Sequence, residues 1–170
     1  DEEDGETIKS TAMMKEPPLP YELPAGAIKV EAEKYTGQGN GAVNVVSNKV
    51  GASGGLSCMN WDTKDHWLEW TFDVPAAGSY GLVVSQCSRD AVILRKVSVG
   101  GKVVSIGEAA EFQGTGGFSN DANDWRPGIL ATLEGKEFSM RLDAGKHVVR
   151  MENVDGVSMN LDWLALVPVK

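Results

Sequence analysis

Cysteine is scarce: two of 170 residues, Cys58 and Cys87. Neither stands near His66 or His147, the two histidines, so zinc-finger spacing is excluded, and no HExxH pattern occurs. Their spacing leaves open one bridge or two buried thiols. Positive charge is short as well. Sixteen basic against 24 acidic residues give a net charge of −8, and no basic patch is interleaved with aromatics, which argues against nucleic acid. No apolar run approaches the roughly 18 residues needed to span a bilayer, and the first residues show no charged-then-apolar secretion signal. P-loop, dinucleotide-fingerprint and G-x-S-x-G motifs are missing too. No apolar period of helical spacing lasts three turns.

What remains suits one globular domain, since 42% of the residues are hydrophobic. Residues 1–26 join an acidic start to prolines 17, 18, 20 and 24, which predicts a solvated, semi-extended leader. Residues 27–170 form the expected domain. There, short apolar or alternating runs such as WLEWTFDV, YGLVVSQC, AVILRKVSV, HVVRMENV and NLDWLALVPV alternate with turns such as PAAG, LEGKE and DAGKH. That rhythm predicts an all-β sandwich.

Two strands carry misplaced charge. In Ile28-Lys29-Val30-Glu31-Ala32-Glu33, the apolar residues alternate with a doubled carboxylate. On its own this reads as an ordinary amphipathic strand. In the closing run, Asp162 sits among Leu161, Trp163 and Leu164, where an ionised acid needs a cationic partner, backbone amides or a metal. If the first and last strands are neighbours, Glu31, Glu33 and Asp162 converge as three oxygen donors. A hard cation such as calcium, which takes six to eight oxygens, would relieve their repulsion; a salt bridge is the alternative.

The ordered set of Glu31-Ala32-Glu33, Ala52-Ser53-Gly54-Gly55, the run from Trp67 to Pro75 followed by Ala77-Gly78-Ser79-Tyr80, and Asn160-Leu161-Asp162-Trp163-Leu164 resembles carbohydrate-binding modules of families 6 and 35 over residues 27–170. The resemblance implies a jelly-roll sandwich with a structural calcium on Glu31, Glu33 and Asp162, joined by backbone carbonyls near Lys49 and Gly51. It also implies sugar recognition among loops at one end of the sandwich, by aromatics and an Asn just before the closing Asp, here Asn160. Gly114 to Phe118, GTGGF, resembles the glycine-rich start of the aromatic-bearing loop, which makes Trp125 the expected platform; the acidic, Asn-rich stretch from Ser119 to Asp124 departs from the pattern.

A pyranose presents an apolar C–H face to an aromatic ring and hydroxyls to polar groups. Trp70 and Trp163 read as core, and Trp67 as core by preference. Trp61 and Trp125 lie in polar loops and are the candidate platforms, with Arg126 and Asp124 as further wall residues; each ring could instead tuck over the sandwich end. Three functions follow: a non-catalytic polysaccharide-binding module, expected as a monomer; a glycan-cleaving enzyme using Asp121, Asp124 or Glu108; or a protein-binding sandwich. An extracytoplasmic setting is expected. The DEED start would suit a bacterial surface lipoprotein whose anchoring cysteine preceded it.

Overall fold

The computed structural model describes residues 8–103 and 108–170. The chain is an all-β sandwich, with fourteen strands among the described residues: β1 (Ser10–Lys15), β2 (Ile28–Glu31), β3 (Gly37–Gly39), β4 (Asn44–Val46), β5 (Ser57–Met59), β6 (Trp67–Val74), β7 (Gly78–Cys87), β8 (Val92–Val99), β9 (Lys102–Val103), β10 (Ala109–Gln113), β11 (Arg126–Ala131), β12 (Met140–Leu142), β13 (Gly145–Asn153) and β14 (Asn160–Pro168). Hydrogen bonding runs β3-β6-β13-β8-β10-β1-β11-β7-β14-β5-β4, with β12 on β7, β2 on β14 and β9 on β8.

Alternation decides which faces meet. In β6, Leu68, Trp70, Phe72 and Val74 are buried. Opposite them, Val149 and Met151 of β13 pair with Trp70 and Leu68, placing their side chains on the same face. Leu82 and Val84 of β7, Leu130 of β11, and Leu161, Leu164 and Leu166 of β14 complete one continuous core. The outer face of the β6–β13 pair is salt-bridged: Arg150 to Glu69 at 3.1 Å and Lys146 to Asp73 at 2.9 Å.

The leader expected over residues 1–26 is corrected at Ser10–Lys15. This segment is β1, parallel to β10 and antiparallel to β11, with Ala12 and Met14 buried. Its register with β11 sets Met14 opposite Leu130, and a Cβ on Gly128, two residues before Leu130, would lie 2.8 Å from that of Met14. Residues 1–7 lie outside the described residues. From β1 the chain passes Tyr21, which shares a recess with Val83, Ile129 and Pro168 on the outside of the β11-β7-β14 sheet. Tyr21 is shielded enough to hold its hydroxyl pKa above the ordinary value, with Glu137 adding to the effect.

The condition set for Glu31 and Asp162, that their strands be neighbours, is met. β2 pairs antiparallel with β14, Trp163 opposite Glu31 and Leu164 opposite Val30. β14 lies between β7 and β5 at its start, which explains its apolar character on both faces.

Candidate functional site

Two neighbouring arrangements stand at the sandwich end where β7 and β10 finish and β11 and β14 begin. The first is the carboxylate cluster. Asp162 is 2% exposed, and the Ser53 amide donates to both its oxygens, at 2.9 and 3.1 Å. Ser53 Oγ donates to Glu31 Oε2 at 2.9 Å, and Lys29 Nζ lies 3.2 Å from that same oxygen. Glu31 Oε1 and Glu33 Oε1 are buried and have no hydrogen-bond partner among the described residues. Burial pushes the Asp162 carboxyl up to about 7, with Glu31 and Glu33 adding repulsion against the Ser53 amide. Burial likewise raises Glu33, with Glu31 contributing.

Lys29 is the cation bridged to this cluster, so two orphaned carboxylate oxygens and a buried acid remain undercompensated. That donor set suits a hard, oxygen-seeking ion. Among the described residues, no three His, Cys, Asp or Glu side chains form a metal cage by themselves. An ion here would therefore draw on backbone oxygens beside Glu31, Glu33 and Asp162.

The second arrangement is the 114–125 loop joining β10 to β11. Its glycine-rich start is sterically required: a Cβ on Gly114 would collide with the Asp90 carbonyl, and one on Gly117 with the Asp124 carboxylate. Asp124 Oδ2 accepts from the Ser119 amide and Ser119 Oγ from the Asp124 amide, both at 2.9 Å, which closes the turn. Arg126 donates to the carbonyls of Trp125 and Asn123 and lies 3.9 Å from Glu16. The loop leans on the 49–53 segment, where the Val50 amide donates to Ser119 O at 2.8 Å and Lys49 Nζ to Asn120 Oδ1 at 2.5 Å. Ser53, which caps Asp162, belongs to the same segment.

The predicted ligand residues are thus gathered at one end, but several face inward. Trp61 is 1% exposed and is corrected from candidate platform to core. Its indole nitrogen donates to His66 O at 3.0 Å, and the fully buried Arg95 guanidinium lies 4.1 Å from its ring centroid. Arg95, pulled down to about 9 by burial against the support of Asp155, also donates to the carbonyls of Trp61 and Val157. Trp125 is 7% exposed, so its ring face is not offered to solvent, and its indole nitrogen is buried without a partner among the described residues. Asn160 is 2% exposed and donates to Phe118 O at 3.3 Å. Asp124 and Arg126 are half-buried, with their polar groups engaged inside the loop. Trp70 is core as expected, its nitrogen donating to Ala32 O. Trp67 and Trp163, expected in the core, are half-buried on outer faces, under Arg150 and Lys29 respectively.

The aromatic that remains accessible in this loop is Phe118, half-buried, with the exposed Arg89 5.5 Å from its ring centroid. Sequence reasoning passed over it in favour of the larger ring downstream; the signal was its place at the end of Gly114 to Phe118. Cys58 and Cys87 are free, buried thiols, each pushed up to about 12 by burial.

At the level of sequence the chain matches no known family profile and no curated protein. Its fold does match solved structures. It is similar to a family 35 carbohydrate binding module from Clostridium thermocellum, with 19% identity, a TM-score of 0.66 and coverage of 84% of this chain and 98% of that one. It is similar to the C-terminal family 6 module of LamC, a marine laminarinase from Zobellia galactanivorans, with 18% identity, a TM-score of 0.59 and coverage of 83% and 98%. A β-(1,4)-mannanase from Podospora anserina that carries a family 35 module matches at 17% identity and a TM-score of 0.59, over 86% of this chain and 28% of the enzyme.

Proposed function

We propose that this chain, a β-sandwich with the fold of the family 6 and 35 carbohydrate-binding modules, binds a polysaccharide without cleaving it, at the end formed by the 114–125 loop. The observation that carries the reading is Phe118, an accessible aromatic on a loop fixed by Gly114, Gly117 and Asp124. A partly exposed ring on a rigid support suits the C–H face of a sugar, and the Arg89 guanidinium over it can swing aside to donate N–H groups to sugar hydroxyls. Asn160 and Trp125 hold this support in place from beneath. The match that covers 98% of an isolated family 35 module favours binding over catalysis, and Asp124, nominated as a catalytic acid, accepts from the Ser119 amide through Oδ2. Calcium held by Glu31, Glu33 and Asp162 is part of this reading, as is an extracytoplasmic setting, where polysaccharides are met.

A glycan array run with and without chelator tests it. We expect retention of a polysaccharide by the wild type, no product release, and loss of at least tenfold in affinity for Phe118→Ala with an unchanged melting temperature. A blank array would favour a protein partner; released oligosaccharide would favour an enzyme.

A further inference from the structure

The 114–125 loop joins β10 to β11, and these strands are not neighbours: β1 lies between them. The loop's two feet therefore stand about two strand spacings apart, roughly 9.5 Å, and the loop arches over the C-terminal end of β1. Parallel pairing with β10 brings Lys15 and Glu16 to the ligand end, where Glu16 meets Arg126 at 3.9 Å. Beneath the arch is a notch walled by Met14, Glu16, Gln86, Gln113, Thr115 and Arg126, with room of about 20 Å3, enough for one water-sized group. Gln86 is 5% exposed; its nitrogen donates to Gln113 O at 3.0 Å, while its Oε1 is buried with no donor among the described residues. A buried acceptor in that state calls for a hydroxyl or a water.

We infer that β1 is a specificity-determining part of the ligand end: it sets the span of the 114–125 loop and walls a notch in which Gln86 Oε1 accepts one hydroxyl of a bound glycan. The inference rests on the proposed glycan binding and adds to it which element selects among glycans. Gly128 makes β1 addressable, because a Cβ there meets the Met14 Cβ at 2.8 Å, whereas the next Met14 atoms stand at 3.6 and 3.7 Å. Gly128→Ala should displace β1. Gln86→Met keeps the shape of the side chain and removes both the acceptor and the donor to Gln113 O.

The test combines the glycan array with hydrogen exchange on the full chain. In Gly128→Ala, the amides of β1 and of the 114–125 loop should exchange at least tenfold faster while those of β6 and β13 stay protected, and the order of preference among arrayed glycans should change. Gln86→Met should lower the melting temperature modestly, keep the exchange pattern of β6 and β13, and lose about tenfold in affinity for the preferred glycan. An unchanged order in Gly128→Ala or an unchanged affinity in Gln86→Met overturns the inference. If the wild type binds nothing on the array, glycan binding itself fails. Loop exchange in Gly128→Ala then still judges whether β1 sets the loop, and an unmoved loop overturns that as well.

Discussion

Phe118 and Trp125 share one loop and do different work, and truncation separates them. Trp125 is buried, so Trp125→Ala removes packing and should cost about 3–5 kcal/mol of stability, visible as a lowered urea midpoint before any binding is measured. Phe118→Ala, in contrast, should leave that midpoint almost unmoved. His66 gives a second contrast. It is 1% exposed, in hydrogen-bond contact with Gln38 Oε1 at 3.0 Å, and burial holds its pKa below the ordinary value, with Arg95 reinforcing and Asp62 opposing the shift. The unfolded chain therefore takes up the proton first as pH falls, so the stability contributed by neutral His66 is full above about pH 6.5 and declines below it, toward the lowered folded value. The drop in midpoint between pH 7.5 and 5.5 should be smaller in His66→Gln than in the wild type; equal drops would show that His66 does not titrate on unfolding.

At the scale of elements, legibility followed the distance over which each strand finds its partners. β6, β7, β8, β13 and β14 were readable because their alternation or continuous apolar character lies within each strand. The need of Asp162 for a partner was readable as well, but that β2 lies beside β14 entered only as a condition, which the pairing of the two strands meets. β1 was not: Ser10-Thr11-Ala12-Met13-Met14-Lys15 lacks the β-branched and aromatic density of a strand, and its partners, Ala109 and Ala131 among them, lie about a hundred residues away. Trp61 was misread for the same reason, because the Arg95 side chain that covers it belongs to another strand. The 49–53 segment, which links Asp162 to the 114–125 loop, gives a test at this scale. Val50→Pro removes the amide donated to Ser119 O, and it should speed amide exchange at 119–124 while leaving β6 and β13 protected.

For the whole molecule, the proposed calcium site makes stability a test of the carboxylate cluster. If calcium binds there only in the folded state, a hundredfold excess over its dissociation constant should add about 2.7 kcal/mol, read as a rise in melting temperature that chelator reverses. Asp162→Asn makes the sign explicit. With chelator present the substitution relieves repulsion among Glu31, Glu33 and Asp162 and should raise the melting temperature. With excess calcium it removes a ligand and should lower the temperature relative to the wild type. Parallel shifts in both conditions would show that no ion is held there.

The place of β1 also orders events in time. During synthesis Ser10–Lys15 emerges with neither of its strand neighbours made, and at roughly 5–20 residues per second it waits on the order of ten seconds before both β10 and β11 exist. During that interval β6 and β7 also lack β13 and β14, which follow β11 in the chain, so β1 waits together with most of the sandwich and its seam depends on strands from distant parts of the sequence. Such long-range closure is slow compared with local hairpin formation. Pulse-labelled refolding should show β1 amides gaining protection after those of the β6–β13 pair, with the seam between β10 and β11 as the place where an unfinished chain exposes strand edges to others of its kind.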